Sequence, residues 1–335
     1  MSSRTGKIIL SLLVALLFFW LAFRDINVTE LMDQIRDIRY HWILPLAFAT
    51  LASHYLRAER WRLFLGRDGV VPPRSTLFAG VMTGYMLNYV FPRLGEVARP
   101  VYVARKSGIT TGKLLGTIVL ERILDVLCLI AFLLFIMLYL IRDGQLLDTI
   151  FGTDEWATYA FVLLPALLIS FFAIVWLGYR WLVHAVHKQE EPHPWLIKIY
   201  ENGKLFWNGL IAIRDIKSWP LFLVYTLGIW IGYAAMAWFP LWMLDLHILY
   251  DLGLSEAVIV TVVSAAGMTM PVPGGLGAYH LFVQQTLWVL YSVPLVPALT
   301  YATVTHAAML LFAFLIGGGT LWFDKYYTLT HSVEK

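Results

Sequence analysis

The 335-residue sequence has one cysteine, few charges and none of the spacings that hold metals or nucleotides, and each shortage closes off a class of protein. A lone cysteine, Cys128, excludes an intrachain disulfide and a cysteine-ligated metal cluster; lying in an apolar run, it reads as ordinary packing. No metal-ligand spacing, nucleophile elbow, phosphate-binding P-loop or dinucleotide fingerprint occurs, so the reading carries no metal and no cofactor. Charged residues make up 14% of the chain and the net charge of +3 is spread through loops, which leaves nucleic-acid binding without a basis. In place of charge the chain has apolar surface. Hydrophobic residues reach 59%, mean hydropathy is +0.70 and there are 14 tryptophans, all beyond an ordinary soluble domain. The chain therefore reads as an integral membrane protein. Its length suits a single membrane domain, 1–335, with no room for an appended soluble enzyme of ordinary size.

The stretch that most constrains the fold is Thr269 to His280, which places Pro271, Pro273, Gly274, Gly275 and Gly277 inside an apolar region. Two missing amide donors and three permissive glycines rule out a plain helix there. Irregular backbone at membrane depth is tolerated only where protein or a water-filled cavity satisfies its polar groups. The expectation is a broken or re-entrant segment lining a site; a tight solvent-exposed turn between two complete spans is the alternative.

Taken in order, Arg4 and Lys7 precede an apolar run, Ile8 to Phe23, that lacks a small-residue cleavage site and reads as a retained anchor. A charged connection follows, with an amphipathic helix between Thr29 and Ile38 whose Leu31, Ile35 and Ile38 suit lying against the membrane. The second span runs from about Trp42 to Leu56 and into Arg57, Arg60, Trp61 and Arg62. Two basic segments come next, Arg57 to Arg74 and Arg93 to Lys113, both placed in the cytoplasm by the positive-inside tendency. Leu77 to Phe91 between them must then enter and leave on one side or pair with a returning segment; Gly80, Gly84, Asn88 and Pro92 punctuate it. A span opened by Glu121, Arg122 and Asp125 runs to Ile141 and exits into the acidic loop Arg142 to Trp156.

The second half repeats the order. Ala157 to Tyr179 is a span, Arg180 to Ser218 a mixed loop with an interfacial helix from Trp195 to Ile216, and Trp219 to Leu244 a span leading to a loop with Asp245, Asp251 and Glu256. The apolar pair Ala257 to Met270 and Ala278 to Tyr291 is hinged at the Pro-Gly stretch, and Pro297 to Phe323 is the last span, followed by a short charged tail. The fold class is all-α and polytopic: about six full spans and two broken or re-entrant hairpin segments, arranged as an inverted repeat with halves near 1–145 and 155–325. Broken segments at matching positions of oppositely oriented halves point to an alternating-access transporter with its site between them.

Three polar groupings could carry the chemistry. Asn88, Arg93, Glu96 and Arg99 follow the first broken segment, with Arg93, Glu96 and Arg99 at spacings of three that put them on one helical face. They read either as an ion-pair network snorkelling to water or as guanidinium groups for a lipid phosphate, with Glu96 orienting them or carrying a proton. Glu121, Arg122 and Asp125 read as a buried structural triad or as substrate contacts, since ionisable groups at membrane depth need partners or water. His54, Arg57 and Arg60 either face the same cavity or cap the second span. His280 and His306 bracket the hinge, which suggests a proton-linked or headgroup contact beside the ordinary role of hydrogen-bonded core histidines.

Together these residues suggest a family. Asn88 followed by Pro92-Arg93-Leu94-Gly95-Glu96 and Arg99, then Glu121-Arg122 with Asp125, then Pro271-Val272-Pro273-Gly274-Gly275-Leu276-Gly277, resemble the lysylphosphatidylglycerol synthase transmembrane domain family, also called flippase-like. The resemblance runs over nearly the whole chain. It implies a polytopic domain moving lipids between leaflets, which in full-length synthases is fused to a soluble aminoacyl transferase. Where many relatives carry an acidic residue after the Pro-Gly-Gly-x-Gly run, this chain has Tyr279-His280. The expected function is thus translocation of a lipid with a charged or phosphorylated headgroup in the cell membrane, with both termini cytoplasmic. Arg93, Arg99 and Arg122 would meet the headgroup; Glu96, Glu121 and Asp125 would compensate charge or couple to protons. A membrane lipid is the partner, and a homo-oligomer is compatible with the pattern. A membrane-embedded transferase acting on a polyprenyl-phosphate substrate and an ion-coupled small-solute carrier are the rival readings.

Overall fold

The computed structural model describes residues 3–65, 71–142 and 218–332, with isolated positions between 170 and 216. Apart from those positions, the expected span 157–179, the loops 143–156 and 180–217 and the interfacial helix 195–216 lie outside the described residues. Every element among the described residues is helical. Two compact units are present, Met1–Leu115 with Ile216–Lys335, and Gly116–Asp215.

In the first unit, α1 (Ser3–Phe23) leaves Leu10, Leu13, Leu16, Leu17 and Trp20 exposed, as an apolar helix does when lipid is its solvent. The chain then bends by 83° into α2 (Val28–Asp37), which starts where the Asn27 side chain accepts from the amides of Thr29 and Glu30. The apolar stripe of α2 is buried against protein: Leu31 packs with Ala22 and Leu299, and Ile38 with Leu46 and Ala49. This corrects the expectation of a helix lying on the membrane. An amphipathic stripe fits a protein groove as well as a bilayer surface, and the Thr300 hydroxyl, donating to Gln34 at 2.9 Å, ties α2 to the last helix.

Long α3 (Ile43–Leu65) packs along α7 (Trp219–Met243). Their backbones approach closely because α7 offers glycine at the contact: a Cβ on Gly232 would lie 2.6 Å from Ser53 Cβ and one on Gly228 2.6 Å from Leu56. Between them in sequence, α4 (Arg74–Val90) and α5 (Leu94–Ser107) form a hairpin of 17 and 14 residues. At roughly 1.5 Å per residue, neither arm spans a hydrocarbon core about 30 Å thick. Gly84 and Gly95 face each other across the hairpin, where a Cβ on Gly95 would collide with the Gly84 carbonyl. The Asn88 side chain accepts from the Gly95 amide at 2.7 Å and so satisfies a free donor at the start of α5.

A second hairpin follows the short α8 (Leu246–Leu249). Its arms are α9 (Leu254–Thr269) and α10 (Ala278–Tyr291), 16 and 14 residues, joined through a 3-10 turn at Pro273–Gly275. Gly274, Gly275 and Gly277 have φ of 54°, 73° and 78° and are buried, while Pro271 and Leu276 beside them are exposed; the breakers interrupt the helix as the sequence predicts. The last helix, α11 (Leu295–Ser332), outruns the expected Phe323 end and packs on α4, where Gly317 lets the Met82 carbonyl approach. Helix α7 and the Leu295–Phe323 part of α11 are long and apolar enough to cross a membrane, and the bent α1–α2 pair adds a third candidate.

In the second unit the described backbone is chiefly α6 (Thr111–Arg142), which enters that unit at Gly116. It carries Glu121 and Asp125, both buried, with Arg122 Nη1 3.7 Å from Asp125 Oδ2. Arg122 and Asp125 are three positions apart, a spacing at which side chains meet on one helical face.

Candidate functional site where two broken helices meet

Each hairpin exposes the groups that a continuous helix would satisfy, and the first unit brings the two turns together. Arg93 occupies the left-handed region at φ 59° and precedes α5 as its N-cap residue. Its Nη2 donates to the Thr269 carbonyl at the C-terminal end of α9, at 3.3 Å. Arginine is thereby matched to the end of a helix where carbonyls lack partners and the dipole favours a cation. Tyr89, one turn back on α4, lies where a Cβ on Gly274 would collide with its ring. Only glycine fits there.

This position alters the expected face. Arg93 lies outside the helix that carries Glu96 and Arg99, because Pro92 and the Asn88 cap start that helix at Leu94. Glu96 is half-buried in the first turn, while Arg99 is buried with its guanidinium 3.9 Å above the Trp61 ring of α3.

Two more bonds reach the second turn from other helices. The Gly274 carbonyl lies 2.8 Å from His306 Nε2 of α11, and since a carbonyl only accepts, Nε2 carries the proton. Ser11 of α1 donates to the Pro271 carbonyl at 2.7 Å. The His280 and His306 rings, 26 positions apart in sequence, have centroids 4.9 Å apart, with Tyr279 and Tyr89 at 5.2 and 5.6 Å from His306 and Phe19 at 6.3 Å from His280. Both histidines are buried, and His280 Nδ1 has no hydrogen-bond partner among the described residues.

A second polar group sits on α3 between the hairpin and α7. His54, Arg57 and Arg60 are buried, which places them inside the protein rather than at a wet helix end. Arg57 donates to the Tyr233 hydroxyl through Nε at 3.1 Å and Nη2 at 2.8 Å; that hydroxyl lies 3.2 Å from the Tyr85 hydroxyl, and the His54 ring stacks on Tyr85 at 4.0 Å. Glu59, also buried, takes Arg74 at 2.8 Å and Arg62 at 3.9 Å. Sequence reasoning named His54, Arg57 and Arg60 but not Tyr85 or Tyr233, because a tyrosine in an apolar run gives no sign of which way its hydroxyl points. Glu121, Arg122 and Asp125 belong to the second unit. Among the described residues no group of three or more His, Cys, Asp or Glu side chains is arranged to hold a metal.

Helices long and apolar enough to cross a membrane, with arginine, phenol and imidazole groups buried among them, define a helical integral membrane protein. The chain belongs to the family described as the lysylphosphatidylglycerol synthase TM region, whose model matches residues 8–317. It is also similar to the UPF0104 membrane protein MJ1595 of Methanocaldococcus jannaschii, 21% identical over 147 residues, which cover 43% of this chain and 44% of that one. The match thus spans under half the length of that relative. No solved structure gives a significant match.

Proposed function

We propose that the protein is a flippase-like transporter that moves a lipid with a charged or phosphorylated headgroup between leaflets, the headgroup passing by the two broken segments while the acyl chains stay in the bilayer. The observation that carries this reading is the meeting of the two hairpin turns through Arg93 and Thr269, with the His280–His306 pair against the same turn. Arg93 and Arg99 in the first unit and Arg122 in the second are the headgroup cations; Glu96, Glu121 and Asp125 compensate charge or accept protons. Asn88 contributes by holding the start of α5. The family's own description, a region of a lipid-modifying synthase, supports a lipid substrate.

The reading includes about six full spans and an inverted repeat with halves near 1–145 and 155–325, in the cell membrane with both termini cytoplasmic. In its support, α3 packs on α4 and α7 on α9, while α3 and α7 pack on each other, so each half pairs a long helix with a short hairpin. Single cysteines at positions 67 and 105 in a Cys128→Ser background are expected to label from the same side; labelling from opposite sides would remove the first re-entrant segment and the repeat with it.

The function is tested in liposomes of purified protein, assayed separately for lipid movement, transferase turnover and solute uptake. Movement of an anionic fluorescent phospholipid without the other two activities is the expected result. Turnover on a polyprenyl phosphate, or solute uptake without lipid movement, would replace it.

A further inference from the structure

An α-helix leaves its first amides without carbonyls, and something outside the helix has to receive them. At α2 the Asn27 side chain does so, at α5 the Asn88 side chain, and at α9 the Glu256 carboxylate accepts from the Gly253 amide at 2.7 Å. The start of α10 is different. It has no side-chain cap and no acidic residue in its first turn. Its first bond runs from the Leu281 amide to the Gly277 carbonyl at 2.9 Å, so the amides of Ala278, Tyr279 and His280 precede the helical ladder. All three residues are buried, as is the N-cap Gly277. A buried donor left without an acceptor costs about 1–3 kcal/mol, so three of them in one place call for a ligand.

His280 points to the same place independently. It stands in that first turn at 3% exposure, and its Nδ1 has no hydrogen-bond partner among the described residues. Helical side chains lean toward the N-terminus, which carries the imidazole over the start of α10. Its neighbours agree. The Phe19 ring lies 6.3 Å away, on the residue whose amide nitrogen would be 2.6 Å from a Cβ on Gly277. On the other side, at 4.9 Å, is the ring of His306, which bonds the Gly274 carbonyl in the turn just before the helix. A neutral imidazole carries one N–H, so the tautomer protonated at Nδ1 adds a fourth donor to the three amides. Amides at the positive end of a helix dipole, with no carboxylate in the first turn, suit an oxyanion and repel a cation.

We propose that the amides of Ala278, Tyr279 and His280, together with His280 Nδ1, form an oxyanion subsite that takes a phosphate oxygen. This rests on the transporter reading for its lipid source, since the phosphate ester of a phospholipid is the oxyanion that reaches a membrane-embedded helix end; free phosphate has the same chemistry. Leu276, next to the N-cap, is 40% exposed, so the donors lie a short step from the surface. Arg93 bonds the Thr269 carbonyl at the other end of the same turn, and the hinge is thus flanked by a guanidinium at one end and by amides at the other. The break in the chain is what creates this second end.

The test is isothermal titration calorimetry on the purified full chain with dioctanoylphosphatidylglycerol, dioctanoylglycerol and inorganic phosphate. His280→Phe keeps a flat ring among Phe19, Phe23 and His306 and removes the ring nitrogens. An ester in place of the amide of Tyr279, introduced as the α-hydroxy acid, removes one backbone N–H and keeps the side chain. Each is expected to weaken the phosphorylated lipid about tenfold while leaving dioctanoylglycerol within about twofold, the scale of one hydrogen bond to a charged group. Inorganic phosphate that binds as tightly as the phosphorylated lipid, with the same dependence on both changes, would establish the subsite with free phosphate as its ligand. Unchanged affinity in either variant, equal losses for both lipids, or no phosphate-dependent binding by the wild type would each overturn the subsite. Wild-type protein with 15N in its histidine rings gives a reading that needs no variant. A ring-nitrogen resonance should move with the phosphorylated lipid and not with dioctanoylglycerol, and absence of any such resonance counts against the subsite. Failure of the transporter reading shows separately, as no lipid movement in liposomes by a wild type that still binds phosphate through His280.

Discussion

Gly277→Leu is expected to abolish lipid transport and to lower the melting temperature of the purified protein by several degrees. Gly277 has φ 78°, where a side chain is strained by roughly 1–2 kcal/mol. Space adds to the strain. A Cβ there would sit 2.6 Å from the Phe19 amide nitrogen, 2.7 Å from the Ala15 carbonyl oxygen and 3.0 Å from the Phe18 carbonyl carbon, all backbone atoms of α1. Backbone cannot step aside by changing rotamer, so α1 must move off the hinge, and overpacking of this kind costs about 1–3 kcal/mol. The Ser11 bond to the Pro271 carbonyl would be lost with it. Gly318→Leu is the control, because nothing lies within 4 Å of a Cβ at Gly318. Wild-type melting and transport in Gly277→Leu would reduce the hinge glycines to incidental turn residues.

Arg93→Gln should slow transport of an anionic phospholipid about 10- to 100-fold, the worth of a hydrogen bond to a charged group, and slow a zwitterionic one far less. Arg93 is exposed at the turn of the first hairpin and already spends one N–H on the Thr269 carbonyl. A guanidinium carries five N–H donors, so four remain for an approaching oxyanion. Two functions are therefore combined in one side chain, tying the turns together and presenting charge between them. Flux assays with both lipids in variants of wild-type stability separate these functions. Equal slowing of both lipids would leave Arg93 as a tie alone and sink its headgroup role. Arg93→Lys should recover part of the anionic flux, since charge returns without the planar fork.

The breakers were the most legible part of the sequence, because proline and glycine act through the backbone and need no partner to be understood. Thr269 to His280 and the Asn88–Pro92 stretch both contain hairpin turns, and His280 and His306, which follow the hinge, come together with His306 bonded to its Gly274 carbonyl. Spacing was less reliable near a break. Spacings of three put Arg93 on one face with Glu96 and Arg99 only in a continuous helix, whereas α5 starts at Leu94, two residues after Pro92. The stripe of Leu31, Ile35 and Ile38 was read correctly as a face and assigned the wrong neighbour, since hydropathy does not separate lipid from protein. Least legible was the Arg57–Tyr233–Tyr85 chain. Its members are separated by up to 176 positions, and tyrosines among leucines look the same whether they face lipid or a guanidinium.

Three carbonyls of the second hairpin's turn are held by side chains rather than by a helix: Thr269 by Arg93, Pro271 by Ser11, Gly274 by His306. Backbone bonds in a helix open cooperatively or not at all, whereas each of these three can be exchanged singly for water. At a net value of about 1 kcal/mol apiece, releasing all three costs about 3 kcal/mol, which leaves on the order of 1% of molecules with the turn undocked at any moment. A ligand that binds only the undocked form then gives up about a hundredfold in apparent affinity and needs no external energy to reach it. Exchange between two such populations falls on the microsecond-to-millisecond scale, within reach of relaxation-dispersion measurements on a labelled Met268 or Met270 methyl group.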